Sequence, residues 1–147
     1  MRAPYQILAI PYKKVNNTVE YCVLHRADID QWQFIAGGGE DAETPIEAAQ
    51  REIREEVGVK TRGIIQLDAI CCVPTDCISE KYRKNWAKYI YVIPEYSFAF
   101  ECQSEIFLSK EHTGYQWVDY EKANELLTFD SNKTALYELR CRLNEGL

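Results

Sequence analysis

Three glutamates, Glu52, Glu55 and Glu56, fall within a turn and a half of a segment patterned as a helix, downstream of the glycines Gly37-Gly38-Gly39. Like charges three or four residues apart on a helix repel and weaken it. At ~100° per residue, Ile46, Ala49, Ile53 and Val57 share one side, the core-facing stripe. The three glutamates occupy an arc of similar width roughly 120° away. Arg51 borders that arc, within i,i+4 reach of Glu47 and Glu55, and Arg54 points to solvent. An ordinary solvated acidic face is one reading, because Glu is a good helix former and exposed charge pairs carry little energy. The glycines favour another: they end a strand with backbone able to approach a ligand closely. A hard cation such as Mg²⁺ or Mn²⁺ prefers oxygen ligands and would relieve the repulsion. It would also draw in phosphate oxygens and acidify a water for attack. The chemistry implied is metal-assisted phosphate hydrolysis.

The elements that must position these residues are legible in outline. Thr44 fits an N-cap, Pro45 the first helical position, and Glu47 completes a capping box. Gly58 closes the helix after Val57. Tyr5 to Tyr12 and Thr18 to His25 read as a hairpin around Asn16-Asn17. Gln33 to Ala36 is a short strand entering the glycines. Arg62 to Val73, Lys88 to Pro94, Ser97 to Cys102 and Tyr115 to Val118 are β-like, and Glu121 to Leu127 is helical. A last helix follows Asp130-Ser131, with Leu136, Leu139 and Leu143 on one stripe. The pattern predicts an α/β sandwich. Pro74 to Lys88 lacks periodicity and holds Lys81, Arg83, Lys84 and Lys88 beside Tyr82 and Trp86. It is a candidate functional loop or a plain solvated one.

The chain of 147 residues suits one domain, 1–147, with a single core. No apolar run reaches the length of a membrane span. The N-terminus reads as a first strand rather than a signal peptide. A net charge of -6 argues against nucleic acid and anionic membranes as partners. It would also repel a polyanionic substrate unless a cation intervened. Six cysteines without a paired C-x-x-C unit read as reduced, buried thiols of a cytoplasmic protein.

The acidic segment resembles the Nudix box, G-x5-E-x7-R-E-U-x-E-E-x-G-U, with U a bulky aliphatic residue. Gly37, Glu43, Arg51, Glu52, Ile53, Glu55, Glu56, Gly58 and Val59 fill every fixed position at the required spacing. The strand–loop–helix setting is the one such a match needs. The resemblance implies an α/β/α sandwich around a mixed sheet and Mg²⁺- or Mn²⁺-dependent hydrolysis of a diphosphate linked to another moiety. It implies Glu52, Glu55 and Glu56 as metal-binding carboxylates, with the Gly37 carbonyl as an extra ligand. Arg51 would orient a glutamate on the next turn, and Glu43 would support the loop-to-helix geometry.

A looser likeness covers most of the chain. HRADIDQWQFIAGGGE and SKEHTGYQWVDYEKANELLTFDSNKTALYEL look like bacterial dihydroneopterin triphosphate pyrophosphohydrolases, small Nudix proteins once grouped with dATP pyrophosphohydrolases. By that likeness Glu111 is a further metal ligand or the base that activates water. Arg26, Lys81, Arg83 and Lys84 would hold phosphates, and Trp32 and Trp86 would stack on a flat heterocycle. Water would then attack a phosphorus of a triphosphate, with Glu55 or Glu111 taking the proton. A monophosphate and pyrophosphate would leave. The expected assembly is a monomer or homodimer acting on a phosphorylated small molecule. ADP-ribose, dinucleoside polyphosphates and a non-catalytic regulatory role are the alternatives. Pro74 favours the first only weakly, and Thr75, Asp76 and Cys77 supply no tyrosine for the second.

Overall fold

A computed structural model describes residues 1–146; Leu147, the last residue of the expected domain, lies outside the described residues. The sheet is built on β1 (Arg2–Val15). Its C-terminal end pairs antiparallel with β2 (Thr18–Arg26) through the two-residue turn Asn16-Asn17. Asn16 adopts φ 57°, a left-handed conformation that asparagine tolerates. β3 (Trp32–Gln33) pairs with β2, and β4 (Ile35–Glu40) pairs antiparallel with the N-terminal part of β1. β5 (Ile64–Pro74) pairs antiparallel with β6 (Val92–Glu101), and β6 runs parallel to β1. β7 (His112–Val118) closes on β2. One parallel junction among antiparallel ones makes the sheet mixed.

Among the described residues four helices accompany the sheet: α1 (Pro45–Val57), the single turn α2 (Glu80–Arg83), α3 (Tyr120–Leu126) and α4 (Asp130–Asn144). The run ILAIPY in β1 is apolar on both faces because both faces are covered. Ile7 and Ala9 join Ala48, Ala49, Ile53 and Val57 of α1. Leu8 and Ile10 join Ala123 of α3 and Ala135, Leu136 and Leu139 of α4. The architecture is an α/β/α sandwich, as expected. No helix among the described residues is long and apolar enough to cross a membrane.

A bulge in β5 between Gln66 and Ile70 leaves the Asp68 and Ala69 N–H groups without strand partners. Glu138 of α4 accepts both at 2.7 Å and is held by Arg142 Nε at 2.8 Å. One carboxylate thereby docks the last helix on the sheet.

Four local expectations are corrected. The glycines lie inside β4 rather than beyond a strand end. Lys88–Pro94 and Ser97–Cys102 do not form two strands; one strand, β6, runs through Pro94. Pairing with β1 begins only at Glu95, so at Pro94 the strand still has an open side, where proline is tolerated. All six cysteines are free, but only Cys22 and Cys102 are buried, while Cys72 and Cys77 are exposed. Ile46 is 38 % exposed, and Ala48 takes its place in the core.

Candidate active site

The capping box sets where α1 begins. Thr44 Oγ1 accepts from Glu47 N at 3.4 Å, and Glu47 Oε1 accepts from Thr44 N at 2.9 Å. Gly58, at φ 70°, ends the helix by donating to Arg54 O. Between these caps the helix is rolled toward its acidic side, with Ala48, Ala49, Ile53, Glu56 and Val57 as its buried residues. The roll explains the exposed Ile46 and brings Glu56 inside, at 2 % exposure.

Arg51 organises the acids around it. Its Nε and Nη2 donate to the two oxygens of Glu43 at 2.9 and 3.0 Å. Nη1 donates to Glu52 at 2.9 Å and to Glu55 at 3.2 Å, and Nη2 also reaches Gly38 O at 2.8 Å. Glu47, expected within its reach, is engaged instead by the capping box. Glu43 also accepts from Glu40 N at 2.9 Å, which ties the loop to the helix. The hydrogen bonds from Arg51 hold the Glu43 carboxyl below the usual range.

Adjacent glycines make the sheet thin at this point. Successive residues of a strand face opposite sides. A Cβ on Gly37 would collide with the Glu52 carboxyl, and one on Gly38 with the Arg2 guanidinium. Only backbone therefore separates the acidic helix on one face from a cation on the other. A bulge in β1 between Arg2 and Gln6 directs Arg2 over Gly38.

Glu111 joins the group although it is far away in sequence. Phe107 N donates to Val57 O at 2.9 Å and Ser109 N to Glu56 O at 3.1 Å, so the segment before β7 is strapped to the end of α1. Ala27 N donates to Glu111 O at 2.9 Å. Burial pushes the Glu56 carboxyl up to about 10, reinforced by a proton shared with Glu111 and by the charges of Glu52 and Glu111. The Ala36 N–H and the Glu111 carboxyl face the Glu56 oxygens without full hydrogen-bond geometry, and among the described residues no cation pairs with them. Burial also pushes Glu52 up to about 7 against the opposing pull of Arg51, with Glu55 and Glu111 adding to the rise. Glu55 is exposed at the rim. Among the described residues no three acidic, His or Cys side chains close into a ready-made metal cage.

A cavity of about 1100 Å³ opens beside this group, with Gly37, Glu111 and the cations Arg2, Arg26 and Lys110 on its wall. A smaller cavity of about 330 Å³ between β5 and α4 shares Cys71, Cys72 and Ser131 with it and contains none of the acidic set. Arg26 reaches the large cavity while paired with Asp28 through Nε at 2.9 Å. The other expected substrate contacts lie elsewhere. Trp32 packs partly buried against the α3–α4 core, its ring 4.9 Å from that of His25. Trp86 Nε1 donates to Arg2 O at 2.7 Å, behind the wall rather than on it. Arg83 Nε donates to Ile78 O, Lys81 lies over the Tyr82 ring, and Lys84 is exposed. Of that segment, Pro74, Cys77, Ile78, Ser79 and Tyr82 reach the cavity. Arg2, Gln6, Glu95 and Lys110 are wall residues that sequence reasoning missed. The signal available for two of them was a polar Gln6 and a charged Glu95 next to the apolar stretches of β1 and β6.

An α/β/α sandwich presenting an arginine-organised acidic helix beside a cation-lined cavity has the form of a phosphoanhydride hydrolase. A profile of the NUDIX domain matches residues 15–139. The chain is 30% identical over 138 residues to the dihydroneopterin triphosphate diphosphatase of Escherichia coli K12, covering 92% of this chain and 91% of that protein. It is 28% identical over 124 residues to the rat asymmetrical bis(5'-nucleosyl)-tetraphosphatase, covering 84% and 80%. Its structure is similar to that of a Listeria monocytogenes protein described as a NUDIX hydrolase, with TM-score 0.86, 43% identity and coverage of 97% and 96%. The chain belongs to the NUDIX family and is an enzyme of the pyrophosphohydrolase type.

Proposed function

We propose that the enzyme hydrolyses the triphosphate of a flat heterocycle to a monophosphate and pyrophosphate. Dihydroneopterin triphosphate and a dNTP such as dATP are the candidate substrates. The carrying observation is Glu56: a buried carboxyl with no cationic partner and no well-formed hydrogen bond among the described residues, set beside the carboxylates of Glu52 and Glu111. A buried charge without a partner is costly, and an all-oxygen set of this kind fits a hard divalent cation. The missing Cβ at Gly37 leaves its backbone open beside Glu52. Glu52, Glu55, Glu56, Glu111 and the Gly37 carbonyl would hold Mg²⁺ or Mn²⁺. The bound ion supplies charge neutralisation at the phosphate oxygens and a more acidic water.

The chain's own residues do the rest. Arg51 fixes Glu52 and Glu55 in one orientation, which is positioning rather than direct contact with substrate. Arg2, Arg26 and Lys110 offset the negative charge of the phosphates at the cavity wall. Glu55 at the rim, or Glu111 beside Glu56, accepts the proton of the attacking water, and an acidic group then protonates the leaving pyrophosphate. The similarity to the Escherichia coli protein supports a pterin or nucleoside triphosphate. The rat relative and Tyr82 on the cavity wall favour a dinucleoside polyphosphate as the second reading. The free thiols fit a reducing, cytoplasmic setting, with the protein a monomer or homodimer.

The test is a panel of dihydroneopterin triphosphate, dNTPs, ADP-ribose and dinucleoside tetraphosphate, with Mg²⁺ and with chelator. Release of pyrophosphate with Mg²⁺ alone supports the proposal. Turnover confined to the dinucleotide, with a nucleoside triphosphate among the products, would replace it with the second reading.

A further inference from the structure

Gln6 and Glu95 stand opposite each other across the parallel pair β1/β6, and Cys71 of β5 stands opposite Glu95. Neighbours across a sheet point to the same side, and all three line the large cavity. Glu95 is 7 % exposed, and among the described residues it forms no ion pair with Lys or Arg. A carboxylate so buried needs compensation. Part of it comes from Gln6, whose Nε2 donates to Glu95 Oε2 at 3.1 Å while its Oε1 accepts from Arg2 Nη2 at 3.1 Å. The Gln6 amide cannot flip without losing both bonds, so Arg2 fixes Gln6 and Gln6 fixes Glu95. The Ser131 hydroxyl, in the first turn of α4, adds a second donor to the same carboxylate. An ionised carboxylate offers about four acceptor sites, so two donors leave it able to accept from a ligand in the cavity.

Building on the heterocyclic-triphosphate reading, we infer that Glu95 reads the substrate's ring, selecting an edge with two adjacent N–H donors. The 2-amino-4-oxopyrimidine edge shared by guanine and pterins has that pattern, a ring N–H beside an exocyclic amino group. Both donors then meet one carboxylate, and charge-assisted pairs of this geometry are stronger than neutral ones. Adenine and cytosine present one donor beside a ring nitrogen lone pair, which would face a carboxylate oxygen. Uracil and thymine present a single donor between two carbonyls. In a buried site such a mismatch leaves polar groups unpaired, and the discrimination is correspondingly large. The relay also gives the cavity a direction: phosphates lie at the Arg2 end, and the ring lies at the Glu95 end.

The experiment measures two things on the full chain. Calorimetric titration of the metal-free protein with dGMP and dAMP reads the ring without turnover, and dGMP is expected to bind at least about 10-fold more tightly. With Mg²⁺, kcat/KM is then compared for dGTP, dihydroneopterin triphosphate and dATP; the first two separate a purine from a pterin source of the same edge. Glu95→Gln offers one acceptor and one donor, which matches adenine. It is expected to lower kcat/KM for dGTP about 10- to 100-fold through KM, and to raise it for dATP. Equal binding of dGMP and dAMP by the wild type overturns the inference, and so does an unchanged dGTP-to-dATP ratio in the variant. If Glu95→Gln does not fold, the wild-type binding ratio decides alone. Absence of turnover on every triphosphate, with the dGMP preference intact, would sink the triphosphate reading and leave the ring assignment standing.

Discussion

Glu56 and Glu138 are both glutamates of helices packed on the sheet, one on each face, and their surroundings are opposite. Glu138 receives two backbone N–H groups from the β5 bulge and the guanidinium of Arg142. Partial burial pushes its carboxyl up, but the bonds from Asp68, Ala69 and Arg142 outweigh that and hold it below the usual range. Glu56 has no cation and no well-formed hydrogen bond among the described residues and sits among other acids, so burial drives it the other way, up to about 10. A carboxylate whose lone pairs are filled by the protein holds the structure together. One that is buried and left unfilled is strained in favour of a ligand.

The largest separation between the two should appear in turnover. Glu56→Gln is expected to lower kcat on the order of 10³-fold, since the lost charge stabilisation is worth several kcal/mol. Glu138→Gln should turn over like wild type. Steady-state pyrophosphate release measures both, and near-normal activity of Glu56→Gln at saturating Mg²⁺ would remove Glu56 from the site. Arg51→Ala should fall between them, with a loss of about 10²-fold from misplacing Glu52 and Glu55. Partial recovery in Arg51→Lys would point to charge rather than to the five-bond geometry, because lysine cannot reproduce the planar fork.

The two carboxylates also differ in how far each was legible from the chain. Caps, the glycine run and the acidic spacing are local, and so α1 and its neighbours could be read directly. The roll of α1 could not, because it depends on how Ala48 and Ala49 let the helix settle on the sheet. Periodicity therefore put Ile46 in the core and gave no sign of how deeply Glu56 is buried. Arg2, Gln6 and Glu95 meet through the register of β1 with β4 and β6, the latter pairing Gln6 with a residue 89 positions away. No sequence spacing encodes that. The basic Pro74–Lys88 segment misled in the other direction: its charge suggested phosphate binding, whereas its short helix turns Arg83 to Ile78 O and leaves Lys84 in solvent.

In stability the order reverses. Glu138→Gln keeps one acceptor but loses charge-assisted bonds to two backbone donors, a cost of about 2 kcal/mol. Chemical denaturation should show this as a lower midpoint with an unchanged slope. Glu56→Gln should not be destabilised at neutral pH in the absence of metal, because the raised carboxyl already keeps its proton there and a neutral amide replaces a neutral acid. A loss of stability equal to that of Glu138→Gln would mean that Glu56 is structurally satisfied after all.

The smallest effect, and the one that separates the two most cleanly, is the sign of the pH dependence. A group that titrates differently in the folded and unfolded states makes stability follow pH. Glu56 is raised on folding from 4.5 to about 10. Its contribution is complete below pH 4.5 and is lost as pH climbs toward 10, because the folded protein must keep a proton or bury a charge. Glu138 is lowered from 4.5. Its contribution is complete above that value and is lost as pH falls through the depressed folded value. Melting temperatures in chelator from about pH 3 to pH 10 would then show two differences from wild type. Glu56→Gln should lose part of the alkaline decline, and Glu138→Gln part of the acid one. Mg²⁺ added to the wild type should also flatten the alkaline side, since a cation takes the place of the proton. An alkaline decline in Glu56→Gln as steep as in wild type would show that Glu56 already ionises without metal, and the contrast between the two glutamates would then be one of position only.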